Sequence, residues 1–181
     1  MKHNFSGDYL TGLIPFGIWQ PVKLVATNRL RLENYRVEYD LHKNAATAVF
    51  YIELSNLSDS VLEAELNVSM TGRDQQITHS EPLSVSPGTS VCTFSFEIED
   101  PQLWWPYELG EPFLYDLNIL IADGKSILDS LSDKTGIRTI TMQMNPGFTE
   151  EESRIPWTFV INGKPMFLRS ACWGGQHLSF M

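Results

Sequence analysis

The sequence predicts an all-β protein, an antiparallel β-sandwich followed by an extra C-terminal β-hairpin. Three observations predict it. From residue 35 to residue 140 apolar and polar side chains alternate over most of the chain, which is the period of half-buried strands. Turn residues interrupt the alternation at roughly 8–12-residue spacing. No stretch carries a convincing helical period.

Residues 1–18 show neither period. Gly7, Gly12, Pro15 and Gly17 punctuate them, and they are expected to be an irregular lead-in or the tail of an upstream domain. The sandwich is expected over 19–142. Tyr35, Val37, Tyr39 and Leu41 alternate with Arg36, Glu38, Asp40 and His42; Ala46, Ala48, Phe50, Ile52 and Leu54 form the next inward set. Asn56-Leu57-Ser58-Asp59 turns the chain. Leu62, Ala64, Leu66, Val68 and Met70 then alternate with Glu63, Glu65, Asn67 and Ser69. A weaker strand covers 77–85, and Ser86-Pro87-Gly88-Thr89 has proline and glycine placed for a turn. Cys92, Phe94, Phe96 and Ile98 follow as an inward set, which puts Cys92 in the core.

Residues 101–117 organise the chain. Trp104-Trp105-Pro106-Tyr107 is fenced by Pro101, Pro106 and Pro112. Each proline fixes its own φ and pushes the preceding residue towards extended geometry, so a stiff crossover is expected rather than a flexible loop. It feeds a strand whose inward residues are Phe113, Tyr115, Leu117, Ile119 and Ile121. Asp123-Gly124 makes a tight hairpin turn, 127–131 the return, and 136–140 the closing strand. Asn145-Pro146-Gly147 and the charged run Glu150-Glu151-Glu152 mark 143–156 as a linker. Trp157 to Leu168 reads as a hairpin turned by Asn162-Gly163. The apolar residues after it read as an interrupted strand, so the chain is expected to be a piece of a longer protein, and loss of 157–181 is expected to leave the sandwich's thermal midpoint nearly unchanged.

Composition narrows the function. With 13 Lys+Arg against 22 Asp+Glu the net charge is −9. Such a surface repels phosphate backbones, so nucleic acid is not an expected partner, whereas a neutral sugar is compatible with it. No apolar run approaches the ~20 residues of a membrane span, and no membrane partner is expected. Met1–Asp8 has no apolar signal core. Two cysteines, Cys92 and Cys172, exclude a disulfide scaffold. His3, His42, His79 and His177 lack metal spacing, so no metal and no other cofactor is expected. The sequons at Asn4, Asn56 and Asn67 are patterns of low specificity.

Three ordered stretches resemble glycoside hydrolase family 2, the family of β-galactosidases, β-glucuronidases and β-mannosidases. Gly17-Ile18-Trp19-Gln20-Pro21-Val22-Lys23-Leu24 is similar to the family's exit from its sugar-binding jelly roll. Leu103-Trp104-Trp105-Pro106, with Gly110-Glu111-Pro112-Phe113-Leu114-Tyr115-Asp116-Leu117, resembles the end of its immunoglobulin-like domain, in wording closest to the β-mannosidase and exo-β-glucosaminidase branch. Gly136-Ile137-Arg138 and Phe159-Val160-Ile161-Asn162-Gly163-Lys164-Pro165-Met166-Phe167-Leu168-Arg169 look like the step into the catalytic (β/α)8 barrel. The resemblance implies an immunoglobulin-like sandwich and places 157–181 at the first barrel strand. It implies the jelly roll and the barrel of the same parent chain as partners.

The family's Arg-Gly-x-Asn is Arg169-Ser170-Ala171-Cys172 here, and the chain contains no Asn-Glu pair. The resemblance therefore carries no catalytic residue onto it. The parent is expected to be a retaining exo-β-glycosidase and these residues alone to be inactive. Trp104, Trp105 and Tyr107 admit two readings. They form a structural plug against a neighbouring domain, or a platform that stacks on pyranose rings, as in a free-standing carbohydrate-binding or adhesion module. Trp19 and Trp173 are expected at domain joints, with a sugar subsite as the alternative for Trp173.

Overall fold

The computed structural model describes residues 17, 18, 20–27, 29–147, 149, 151 and 157–169. Thr27–Phe167 is one compact unit. Outside it, residues 17, 18, 20–26, 168 and 169 carry no helix or strand. The unit holds β1 (Leu30–His42), β2 (Ala45–Asn56), β3 (Leu62–Thr71), β4 (Gln76–Val85), β5 (Gly88–Glu99), β6 (Tyr115–Ala122), β7 (Ile127–Thr135), β8 (Ile140–Met144), β9 (Trp157–Ile161) and β10 (Lys164–Met166). They form sheets ordered β1-β2-β5, β4-β3-β6-β7 and β10-β9-β8. All of these strand pairs are antiparallel. The first two sheets face each other as the predicted sandwich.

The inward sets meet in one core. Phe50, Ile52 and Leu54 of β2 and Leu66, Val68 and Met70 of β3 are buried together with Leu117, Ile119 and Ile121 of β6. Each such side chain contributes about 1.5–3 kcal/mol relative to exposure. Phe50 stacks on Phe94 and Phe96, with ring centroids 5.4 and 5.7 Å away. Cys92 is half-buried against the core, and burial, with Glu81 second, pushes its thiol up.

β1 begins five residues before the alternation read from the sequence. Its register with β2 slips between Leu32 and Asn34. One extra residue exchanges the faces of a strand, so the inward residues change from the even pair Leu30 and Leu32 to the odd set Tyr35, Val37, Tyr39 and Leu41. Turns form where expected. Asp123 Oδ1 accepts hydrogen bonds from the Lys125 and Ser126 amides, and Gly124 sits at φ 80°. Asn56, 3% exposed, donates from Nδ2 to the carbonyls of Ser60 and Val85 and accepts at Oδ1 from Ser58. Its sequon is thereby closed to a glycan; Asn67 lies half-exposed on β3.

The sandwich has two lateral seams. At β1/β7, Asp129 Oδ2 accepts from the Leu32 amide at 2.7 Å, Tyr35 Oη donates to Asp133 at 2.7 Å, Tyr39 Oη and Thr135 Oγ1 are 2.9 Å apart, and Arg29 pairs with Asp123. At β4/β5, the His79 ring stacks on Phe94 and Phe96 with centroids 5.2 and 4.8 Å away.

The segment expected to close the sandwich at 136–140 divides. Ile137 makes a single parallel bridge to Leu103, and the strand proper starts at Ile140. β8 then pairs with β9. The hairpin turn Asn162-Gly163 has φ 48° and 78°, the left-handed pair that favours Asn-Gly. The hairpin thus shares a sheet with the segment leaving the sandwich, and Val160 and Ile161 are buried. Removing 157–181 without effect on stability is not what this packing predicts.

Candidate functional site

The crossover between β5 and β6 is held at both ends by its own backbone. The Trp104 amide donates to the Ile137 carbonyl at 2.9 Å and the Trp105 amide to the Glu111 carbonyl at 2.8 Å. Between them the Leu109 and Gly110 amides fold back onto the Pro106 carbonyl at 2.8 and 3.1 Å. The prolines leave few amides to satisfy and the chain satisfies those locally, which makes the segment stiff.

Two glycines let the tryptophans in. A Cβ on Gly136 would come within 2.9 Å of Trp104 Cβ, and one on Gly110 within 2.9 Å of Trp105 Cβ. Each ring then takes a cation. Arg138 Cζ lies 4.6 Å from the centroid of Trp104, and Lys164 Nζ lies 4.7 Å from that of Trp105. Such contacts contribute about 0.5–1 kcal/mol at partly exposed sites. Arg138 comes from the segment leaving the sandwich and Lys164 from the hairpin.

Asn162 ties the same pieces together. Its Nδ2 donates to the Trp104 carbonyl at 2.9 Å, its Oδ1 accepts from the Thr139 amide at 2.9 Å, and its own amide donates to the Thr139 carbonyl at 3.1 Å. Crossover, exit segment and hairpin therefore meet at one side chain. Beneath the crossover, buried Tyr115 accepts at Oη from the Gln102 amide at 2.8 Å and donates to Gln75 Oε1 at 3.0 Å; burial raises its pKa. Phe113 packs edge-on to Tyr115 at 5.0 Å, and Arg73 pairs with Glu111.

Of the aromatic residues singled out in the sequence, Trp104 and Trp105 are half-buried in this junction. Tyr107, in the same crossover, is 89% exposed. Trp19 and Trp173 lie outside the described residues, as do Cys172, His3 and His177. Asn162, Gly136, Gly110, Arg138 and Lys164 belong to the junction and were not singled out as site residues. The Asn-Gly pair signals a turn; nothing in its pattern signals that the amide reaches a carbonyl 58 positions away.

Two cations of the junction, Arg138 and Lys164, lie over the rings of Trp104 and Trp105. Among the described residues no group of three His, Cys, Asp or Glu could hold a metal ion. What the arrangement provides is a rigid three-way joint.

Comparison with known proteins gives this joint a context. The sequence profile described as "Glycosyl hydrolases family 2" matches residues 30–138, more than half of the chain. A β-mannosidase B of Aspergillus fumigatus is 27% identical over 175 residues, which is 95% of this chain and 20% of that protein. The solved β-D-mannosidase of Dictyoglomus thermophilum superposes with a TM-score of 0.72 at 23% identity, over 87% of this chain and 19% of that one. An exo-chitosanase of Amycolatopsis orientalis superposes at 0.60 and 21% identity, over 79% of this chain and 16% of that one. The chain spans about a fifth of the length of the curated relatives it matches. The two solved proteins share its fold.

Proposed function

The chain belongs to glycoside hydrolase family 2 and resembles its β-mannosidase branch, and from that premise we propose that it is the non-catalytic sandwich of a retaining exo-β-glycosidase, bracing that enzyme's other domains. The observation that carries the proposal is the joint at Asn162, where a single side chain locks the crossover to the exit segment and to the hairpin. A joint of this kind transmits position. It ties the hairpin to the sandwich within one compact unit, Thr27–Phe167. The parent's jelly roll and barrel are the proposed partners.

In a retaining enzyme two carboxylates about 5 Å apart supply the acid/base and the nucleophile. Under this reading both stand on another part of the parent, and the sandwich contributes rigidity. The capping of Trp104 by Arg138 and of Trp105 by Lys164 supports the plug over the sugar platform, because a stacking sugar would have to displace a cation from a ring face.

The test is to read the source gene on both sides of this segment, express the longest frame and the 181 residues separately, and assay both on nitrophenyl β-D-mannoside, β-D-glucoside and β-D-galactoside. Hydrolysis by the long chain with retained anomeric configuration, and none by the 181 residues, is expected. Turnover by the 181 residues alone overturns the proposal. A thermal melt checks the joint: without 157–181 the midpoint is expected to fall by several degrees, on the order of 1–2 kcal/mol for the lost tie and buried apolar side chains. An unchanged midpoint would detach the hairpin from the sandwich.

A further inference from the structure

Three turns converge beside the joint and enclose a cleft of about 770 Å³. One wall comes from the β1–β2 turn with Asp40, Lys43 and Asn44, the second from the crossover entry with Asp100, Pro101 and Leu103, and the third from Thr139, Thr141 and the Asn162-Gly163 turn. Pockets of roughly 300–1,000 Å³ are the size class of small-molecule sites.

Two features separate this cleft from an ordinary gap between loops. The side chains of Lys43, Asn44, Asp100, Thr139 and Thr141 make no hydrogen bond or ion pair among the described residues, although all of them line the same space. Convergent polar groups without protein partners are what a polar ligand requires. The second feature is backbone. Lys43, Asp100 and Asn162, at φ 46°, 45° and 48°, are the three non-glycine residues in the left-handed region among those described, and all three line the cleft. The Asn-Gly turn accounts for Asn162. The two-residue β1–β2 turn, in which His42 pairs with Ala45, accounts for Lys43 in the same way; Asp100 sits where glycine would be unstrained, at a cost of about 1 kcal/mol, and lines the cleft.

The lining selects the ligand class. Asp40 and Asp100 against the single Lys43, on a chain of net charge −9, turn away anions. A purely apolar ligand would strand the carboxylates and amides. Carboxylates, amides and hydroxyls facing aliphatic Leu41, Ala45, Pro101 and Leu103 match a molecule with many hydroxyls and a C–H surface. No aromatic ring lines the cleft, so recognition there rests on hydroxyl hydrogen bonds and not on stacking.

We propose that this cleft binds a neutral oligosaccharide, with the Asp100 carboxylate and the Thr141 hydroxyl accepting and donating hydrogen bonds to sugar hydroxyls. The proposal goes beyond the bracing role and does not depend on it.

The experiment is a two-dimensional NMR titration of the whole 181-residue chain with β-1,4-linked mannobiose and with cellobiose, using sorbitol as a non-cyclic control. Saturable shifts confined to residues 40–45, 100–103, 139–141 and 162–163 are expected for at least one disaccharide, with Kd near ~1 mM. Asp100→Asn keeps a residue that tolerates left-handed backbone and removes the charge, and is expected to weaken binding about tenfold. Thr141→Val is expected to weaken it about threefold to tenfold. Unchanged thermal midpoints show that both variants fold. Absence of saturable shifts with both disaccharides, shifts that map to Trp105 and Tyr107 instead, shifts equally strong with sorbitol, or affinity unchanged in both variants each overturns the proposal.

Discussion

The two lateral seams of the sandwich do the same job with opposite chemistry. Between β4 and β5 the contact is a stack of rings, His79 on Phe94 and Phe96, continuous with buried Phe50. Between β1 and β7 it is a row of polar contacts, with Asp129 on the Leu32 amide, Asp133 on Tyr35, Thr135 on Tyr39 and Asp123 on Arg29. Both seams join edge strands, whose free backbone groups invite pairing with other chains. The aromatic seam excludes water from its edges and draws on burial. The polar seam satisfies them with carboxylates, so its strength follows the ionisation of those carboxylates and of the tyrosines beside them.

The comparison breaks most visibly at the aromatic seam. Phe94→Ala removes a ring that packs on Phe50, Phe96 and His79 and is expected to cost about 3–5 kcal/mol, read as a lower urea midpoint. A loss under about 1 kcal/mol would show that the stack is peripheral to the core. At the polar seam effects are smaller. Tyr39→Phe removes the contact with Thr135 and is expected to cost about 1 kcal/mol. Alkali sharpens the contrast further. Burial pushes Tyr39 up to about 12 and, aided by Asp133, holds Tyr35 higher still. Both favour the neutral form in the folded chain. The stability they contribute is complete below pH ~10 and is lost as pH rises towards and past 12. Tyr39→Phe should flatten the first part of that alkaline limb.

The smallest effect lies at the acid end. Asp133 is held below the usual carboxylate range by the Tyr35 hydroxyl and the Lys134 amide. The Ser126 and Lys125 amides and Arg29 hold Asp123 lower still. Their contribution is present above pH ~4 and fades as pH falls through their folded values. Asp133→Asn keeps an acceptor for Tyr35 and should shrink the loss of thermal midpoint between pH 5 and pH 2. An acid limb identical to that of the parent chain would remove Asp133 from the account.

The strands of the sandwich were readable because a half-buried strand writes its geometry into every second residue. β2, β3 and β6 stand where Ala46–Leu54, Leu62–Met70 and Tyr115–Ile121 alternate. The start of β1 was not readable, since its bulge swaps the inward parity at Asn34 and the swap erases the period across it. Of the joint, Trp104 and Trp105 announce themselves by composition and Asn162-Gly163 by turn chemistry. Arg138 and Lys164 do not, because a cation over a ring is set by distance in space and any surface arginine or lysine has the same appearance in sequence. The seams were silent for the same reason: Asp129 and Asp133 look like ordinary outward residues of a strand until β1 lies beside them.

The bridge between Leu103 and Ile137 is a parallel contact in a unit whose strand pairs are otherwise antiparallel. It joins the two ends of the segment 103–137, which contains β6 and β7. A contact of this kind gains nothing from either neighbour in sequence, so it is expected to form after the β6–β7 hairpin has brought its ends together. Trp104 and Trp105 sit at that closure, and their environment should become native later than the sheet does. In a refolding experiment on a chain with Trp19, Trp157 and Trp173 replaced by phenylalanine, the emission of Trp104 and Trp105 is expected to lag behind the far-ultraviolet circular dichroism, and superimposable traces would place the closure within the main folding step.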